Sequence, residues 1–99
     1  MSKDLPDKKS YVCVAKITKP HGIKGFLKVL VYNENSNILL DKRKLVVRKK
    51  LKSVELNVEK INLESNFLLI KFFDINDRDN ADVYRNYEIC IPRSDFIDD

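Results

Sequence analysis

One short stretch of this sequence concentrates residue types that a binding site needs. Residues 19–25 read KPHGIKG and hold both glycines of the 99-residue chain and its single histidine. Pro20 fixes φ and is expected to end a strand, whereas the glycines permit positive φ or a close backbone approach. A wide hairpin loop or barrel corner would explain the glycines alone, but not the basic side chains beside them. We predict an exposed partner-binding loop formed by Lys19, Pro20, His21, Gly22, Ile23, Lys24 and Gly25.

A second candidate site is a basic run, in which seven of the eleven residues from 42 to 52 are lysine or arginine. These residues are Lys42, Arg43, Lys44, Arg48, Lys49, Lys50 and Lys52. Such side chains favour phosphate groups because they displace condensed counterions. The alternative is a pair of solvated turns whose lysines protect a short edge strand. No aromatic residue interrupts the run, so base stacking on single-stranded nucleic acid is poorly supported.

Catalytic chemistry has little support in this sequence. His21 has no serine or cysteine nucleophile in a recognisable motif and no second metal ligand nearby in the sequence. Asp77, Asp79 and Asp82 suit the start and solvent side of a helix, where the helix dipole and solubility explain them. We therefore predict no catalytic residue, no metal site, no cofactor and no enzymatic activity.

The two cysteines lie in apolar stretches, Cys13 in YVCVA and Cys90 in YEICIP, and their spacing is unlike that of a metal knuckle. We predict two buried free thiols, which fits a reducing cytoplasm. The polar start of the chain has no apolar signal region, and no run approaches the length of a membrane span. A cytoplasmic protein without a membrane partner is therefore expected.

Length and charge narrow the class of protein. A chain of 99 residues buries about 60–65% of its unfolded surface, which leaves little room for a deep active site. The net charge of the chain is +4, but it is unevenly distributed. Residues 74–99 hold eight acidic and three basic side chains, so the net charge of that segment is −5 and that of residues 1–73 is +9. A basic body favours a partner with phosphates or carboxylates, although ordinary solubility would also explain it.

Hydrophobic patterning predicts six strands and one late helix. The strands are expected at 11–17, 26–32, 45–48, 51–61, 66–73 and 87–91. The helix is expected to be capped by Asn76, to face the core with Ala81 and Tyr84, and to stop at Asn86. Residues 1–10 are predicted to be a flexible lead-in. Short strands with short connections indicate a mainly all-β fold, a small antiparallel barrel of six strands with one short helix near the C-terminus.

Two separated motifs resemble the ribosome maturation factor RimM family. The first comprises Val14 to Ile17, Pro20 to Gly25 and Leu27 to Val29; the second comprises Phe72 to Asp79, Ala81, Tyr84 to Ile89 and Ile91 to Phe96. The resemblance spans residues 11–97. The family usually has glycine at the positions of Ala15, Lys19 and Asn86 and an acid at that of Phe26, so this chain lacks the acid on which a contact at that position would depend.

The resemblance implies an N-terminal six-stranded barrel similar to a barrel domain of the translation elongation factors. Family members are assembly factors without enzymatic activity. They bind a ribosomal protein of the small-subunit head, the nineteenth in the standard count, and assist late maturation of the head and processing of 16S rRNA. They normally carry a second barrel, of the PRC type, which is absent here, so we expect a truncated form or fragment.

Three functions therefore stay open. The first is a monomeric assembly-factor domain that binds the head ribosomal protein and adjoining rRNA of the immature small subunit, with the basic run facing rRNA. The second is a stand-alone nucleic-acid-binding barrel that needs no protein partner. The third is a structural half that mainly docks the second barrel.

Overall fold

The computed structural model describes residues 11–32 and 36–93, so the predicted lead-in at residues 1–10 lies outside the described residues. Within them the chain forms six strands, one α-helix and one 3-10 turn at Ser36–Leu39. The strands are β1 (Tyr11–His21), β2 (Phe26–Val31), β3 (Lys44–Lys49), β4 (Lys52–Leu63), β5 (Leu68–Phe72) and β6 (Glu88–Pro92). The helix, α1, covers Arg78–Asp82. The mainly all-β prediction is confirmed.

The six strands of the described chain form one closed barrel in the order β1-β2-β5-β4-β3-β6. Every neighbouring pair is antiparallel, so strand direction alternates around the barrel. The β1–β2, β3–β4 and β5–β6 connections therefore meet at one end, which we call the helix end because α1 lies there. The β2–β3 and β4–β5 connections meet at the opposite end, which we call the far end.

The core follows from alternation along each strand. Leu27 and Val29 point inward from β2 and are fully buried, and Leu56 points inward from β4 and is 5% exposed. All of Leu68–Phe72 is buried, as expected for an apolar strand paired on both sides, here by β2 and β4. Ala81 is also fully buried, so the prediction that α1 faces the core with this residue is confirmed.

Two local predictions about turn chemistry are wrong in detail. Asp77, not Asn76, caps α1, because its Oδ1 accepts the backbone N–H of Asn80 at 2.8 Å. Pro20 does not end β1; it is buried within the strand and pairs with Leu27. Strand β6 pairs with β1 only as far as Lys16, so beyond that point β1 has a ladder partner on one side, where a proline is tolerated.

The prediction of two free thiols is also wrong. Cys13 and Cys90 are joined by a disulfide, and among the described residues there is no free cysteine. Closure of the barrel places β1 beside β6, and these two residues are direct partners in that pairing. Sequence spacing could not reveal this, because the two residues are 77 positions apart.

Candidate functional site

The loop at residues 19–25 is the turn between β1 and β2 at the helix end. His21 pairs with Phe26 across the two strands, so the loop proper is a four-residue turn. His21, Gly22 and Lys24 are exposed, and Ile23 is 74% exposed. A bulge in β1 between Ile17 and Lys19 bends the strand as it enters the loop. The predicted loop residues are thus brought together, and most of their side chains face solvent.

The two glycines of this loop serve different purposes. Gly22 has φ +77° and open space around it, so only backbone conformation requires a glycine there. Gly25 has φ +99° and is buried; a Cβ at this position would lie 2.2 Å from the carbonyl oxygen of Ile75. Gly25 therefore allows the loop to pack directly on the backbone that connects β5 to α1.

Side chains at the helix end hold this arrangement in place. Arg78, the first residue of α1, donates from Nη1 to the carbonyl oxygen of Gly22 at 3.1 Å. Lys71 is only 7% exposed, and its Nζ donates to the carbonyl oxygen of Phe72 and to Oδ1 of Asn76, both at 2.8 Å. The same ammonium group pairs with Glu59 at 3.2 Å. Because Gly25 packs on Ile75 and Asn76, this network fixes the surface that supports the loop.

The residues of the predicted basic patch are distributed along β3, between the two ends of the barrel. Lys44 begins β3 at the far end and Lys49 ends it at the helix end, so the two lie about 17 Å apart at 3.3 Å per residue. Lys42 and Arg43 belong to the far end with Lys44. Arg48 is half-buried, and its Nη2 donates to Sγ of Cys13 at 2.9 Å.

The remaining three basic residues, Lys49, Lys50 and Lys52, form the turn between β3 and β4 at the helix end. They share this end of the barrel with the β1–β2 loop, and α1 lies in the connection that follows β5. Nζ of Lys49 lies 5.9 Å from the ring centroid of Tyr87, which in turn makes an edge contact with Tyr84 at 5.0 Å between centroids. No aromatic residue lies within the basic run itself, so this neighbour of Lys49 is visible only in the folded barrel.

The helix end carries acidic groups as well. Asp82 pairs with Arg85 at 2.8 Å, while Asp74 and Asp79 are exposed around α1. On the barrel wall, the Tyr32 hydroxyl donates to Glu88 at 2.5 Å. Tyr32 is 50% exposed, but partial burial, together with the hydrogen bond to Glu88 and its negative charge, raises the pKa of Tyr32 to about 12.

Neither a metal centre nor a membrane helix can be built from the described residues. Within residues 11–32 and 36–93, no group of three or more His, Cys, Asp and Glu side chains could hold a metal ion. The same residues contain no helix that is long and apolar enough to cross a bilayer. A recess of about 180 Å³ lies at the far end, lined by Val31 and residues 63–68, away from the loop and from α1.

Several residues of the helix end were missed by sequence reasoning. Arg78 belongs to the second motif, and its hydrogen bond to the carbonyl oxygen of Gly22 connects the two motifs in the folded chain. Lys71 lies in the predicted strand 66–73, and nothing local in the sequence indicates its three acceptors. Leu51, which the predicted strand 51–61 included, is 88% exposed, and the lysines on both sides of it could have indicated this exposure.

Comparison with known proteins now identifies the family. The profile of the RimM N-terminal domain matches residues 12–96. The chain belongs to the RimM family. It is 36% identical over 89 residues to the ribosome maturation factor RimM of Pseudomonas syringae pv. tomato, covering 88% of this chain and 49% of that protein. It is 33% identical over 87 residues to the RimM of Sorangium cellulosum, covering 87% and 51%. The chain thus spans about half the length of these relatives, all named as ribosome maturation factors.

Solved structures in the family share the barrel. The crystal structure of the RimM 16S ribosomal RNA processing protein of Pseudomonas aeruginosa superposes with a TM-score of 0.78 at 32% identity, covering 85% of this chain and 51% of that one. The solution structure of the N-terminal domain of RimM from Thermus thermophilus gives a TM-score of 0.72 at 15% identity, covering 89% and 95%. At that identity the second likeness shows the fold alone.

Proposed function

We propose that this domain assists late maturation of the small-subunit head and processing of 16S rRNA in the cytoplasm, as a monomer that catalyses no reaction. It does so by binding a head ribosomal protein, the nineteenth in the standard count, and adjoining rRNA. Membership of a family of ribosome maturation factors supports this proposal. Holding a conformation of a partner needs a rigid surface rather than reactive groups.

The observation that carries the proposal is the fixed shape of the β1–β2 loop. Gly25 packs on the β5–α1 connection and Arg78 bonds to Gly22, yet His21, Ile23 and Lys24 remain exposed. A loop that is already ordered loses little conformational entropy on binding. Its mixture of basic and aliphatic side chains suits a folded ribonucleoprotein surface.

The test is a titration of the chain against the purified ribosomal protein and, separately, against a small-subunit head rRNA fragment, each at low and moderate salt. We expect the double variant His21→Ala and Lys24→Ala to weaken binding to the ribosomal protein about tenfold with an unchanged melting temperature. The matched control is Lys60→Ala with Asn66→Ala, two exposed residues of β4 and the far-end turn.

Three outcomes count against the proposal. The loop would not be the recognition site if the control variant lost binding equally. The same conclusion would follow if the loop variant lost folding in parallel with binding. Binding to RNA alone, with a steep salt dependence, would favour the stand-alone nucleic-acid-binding barrel instead. Binding to neither partner would favour a structural half whose surface serves the second barrel of its relatives.

A further inference from the structure

The turn between β3 and β4 has an unusual composition, and we call residues 49–52 the lysine tip. Lys49 and Lys52 are direct cross-strand partners, so two like charges face each other. Lys50 has φ +57°, in the left-handed region. Leu51 is 88% exposed, and all three lysines are exposed. Three charges and one apolar side chain thus project together from the helix end.

Each of these local choices opposes folding. Like charges directly opposite each other in a sheet are destabilising, and a left-handed residue other than glycine or asparagine costs about 1 kcal/mol. An exposed leucine gains nothing from the core. Compensation inside the domain is small: the ring of Tyr87 lies near Lys49, and none of the three lysines has an ion pair among the described residues. Locally unfavourable residues that no other interaction in the domain offsets are expected on a surface that binds a partner.

The other basic residues of the run are not available in the same way. Arg48 is directed to Cys13, and Lys42 is half-buried and has a partner in the fold. Lys44 lies at the far end, about five residue steps along β3. Arg43 and Lys44 are exposed as well, but they lie at the far end. The lysine tip is therefore the part of the run that presents exposed positive charge at the helix end.

We propose that the lysine tip is a docking element for double-helical RNA. The two strands of the tip are about 5 Å apart, so the turn is narrow. A-form RNA offers a wide, shallow minor groove lined by 2′-hydroxyl groups and flanked by phosphates. Lys49, Lys50 and Lys52 contact those phosphates, and Leu51 packs on ribose between them. The tip itself carries no aromatic side chain, so unpaired bases have nothing there to stack on. This inference rests on the proposed function in one respect, which is that the double-helical RNA is ribosomal RNA.

The experiment measures fluorescence anisotropy of the full chain with two labelled RNAs. One is an RNA hairpin of about 16 base pairs and unrelated sequence; the other is a small-subunit head rRNA fragment. Salt is varied from about 50 to 200 mM to obtain the slope of log K against log salt. The tip variant is Lys49→Gln, Lys50→Gln and Lys52→Gln. The matched control, Lys42→Gln, Arg43→Gln and Lys44→Gln, removes the same charge from the far end.

Each lost phosphate contact should reduce the slope by about 0.7 to 0.9, so the tip variant is expected to lose about 2 to 3 in slope and at least about tenfold in affinity. The control should change affinity by less than about twofold at 0.15 M salt. Leu51→Ser should weaken binding about threefold or more without changing the slope, because it removes no charge. All variants alter exposed side chains except at Lys42, which is half-buried and has a partner in the fold. An unchanged melting temperature verifies that each variant folds.

An unchanged slope in the tip variant, or an equal loss in the control, overturns the inference. Binding of the chain to the ribosomal protein but to neither RNA also overturns it, while the proposed function survives through its protein partner. The inference also holds if the chain binds the unrelated hairpin as tightly as the head fragment and the tip variant weakens that binding. That result would instead count against specific rRNA recognition in the proposed function.

Discussion

At the scale of single residues, Gly25 is the position with the narrowest tolerance. A Cβ there would meet the Ile75 carbonyl oxygen at 2.2 Å, and the backbone already has φ +99°. We expect Gly25→Ala to lower the free energy of unfolding by about 3 kcal/mol, because strain and a backbone clash act together. Urea unfolding measures this loss.

Gly22→Ala is the matched control for that substitution. Gly22 also has positive φ, +77°, but nothing lies within 4 Å of its added Cβ. Only the conformational term remains, so a loss of about 1 kcal/mol is expected. Equal losses at the two positions would show that φ alone, and not packing on Ile75, explains Gly25.

A second residue-scale prediction concerns Tyr32, whose pKa is raised to about 12 from 10.0. The unfolded chain releases this proton near pH 10 while the folded chain keeps it, so the stabilising effect is present below pH 10 and is lost as the pH rises toward 12. Tyr32→Phe should therefore lose less stability than the natural chain over that interval. Phenolate absorbance gives the pKa directly, by difference between the two proteins.

Glu88→Gln tests the cause of that raised pKa. The carboxylate of Glu88 accepts a hydrogen bond from the Tyr32 hydroxyl, and its negative charge disfavours the phenolate. When Glu88 loses its negative charge, the pKa of Tyr32 should move down toward 10. The part of the pKa increase that burial causes should remain. An unaltered pKa in this variant would assign the whole shift to burial.

At the scale of elements, the seam between β1 and β6 closes the barrel, and the Cys13–Cys90 disulfide crosses it. A crosslink that encloses 77 residues is expected to add about 4 kcal/mol in the chain-entropy view. Reductant should therefore lower the melting temperature of the oxidised protein. In a reducing cytoplasm the pair would be held as thiols, with the strands still joined by their backbone hydrogen bonds.

The double variant Cys13→Ala and Cys90→Ala is the control for the seam. Its melting temperature should not respond to reductant, and it should match that of the reduced natural chain. Two thiols that react with a thiol reagent in native, unreduced protein would contradict the disulfide. Because the Arg48 guanidinium lies 2.9 Å from Sγ of Cys13, the reduced thiol at Cys13 should react faster than an ordinary one.

At the scale of the whole molecule, the sequence pattern predicted the individual strands but not which strands pair to close the barrel. Val54, Leu56 and Val58 alternate with polar residues, and a period of two is a local signal, so β4 was predicted well. Which strands become neighbours depends on the closed barrel, and for that reason the pairing of Cys13 with Cys90 was missed. Antiparallel closure also decides which residues of the basic run share an end of the barrel.

The candidate site was also predictable where its signals are local in the sequence, but not where they depend on residues distant in the chain. Glycines beside basic residues marked the β1–β2 loop, since both features are visible within seven positions. The separate purposes of Gly22 and Gly25 were not visible, because they depend on Ile75, fifty positions further along the chain. In the same way, Asn76 was expected to cap α1 but instead accepts from Lys71, a buried donor that competes for its side chain.

The last prediction concerns the electrostatic field of the molecule. Lys42, Arg43 and Lys44 lie at the far end, so they influence an approaching polyanion by charge and not by contact. We expect reversal of all three to glutamate to slow association with the head rRNA fragment severalfold at low salt. At about 0.15 M salt the screening length is about 8 Å, so the effect should largely disappear. Stopped-flow fluorescence measures both rate constants.

Charge acting at a distance changes the association rate and leaves the dissociation rate unaltered, because no contact of the bound state is lost. Neutralising the three residues to glutamine changes half as much charge, so about half the logarithmic change in rate is expected. A faster dissociation of the reversed variant would mean that the far end touches RNA, and the basic run would then bind along its full length. An association rate that does not depend on these charges at low salt would mean that the +9 body of the chain does not steer its partner.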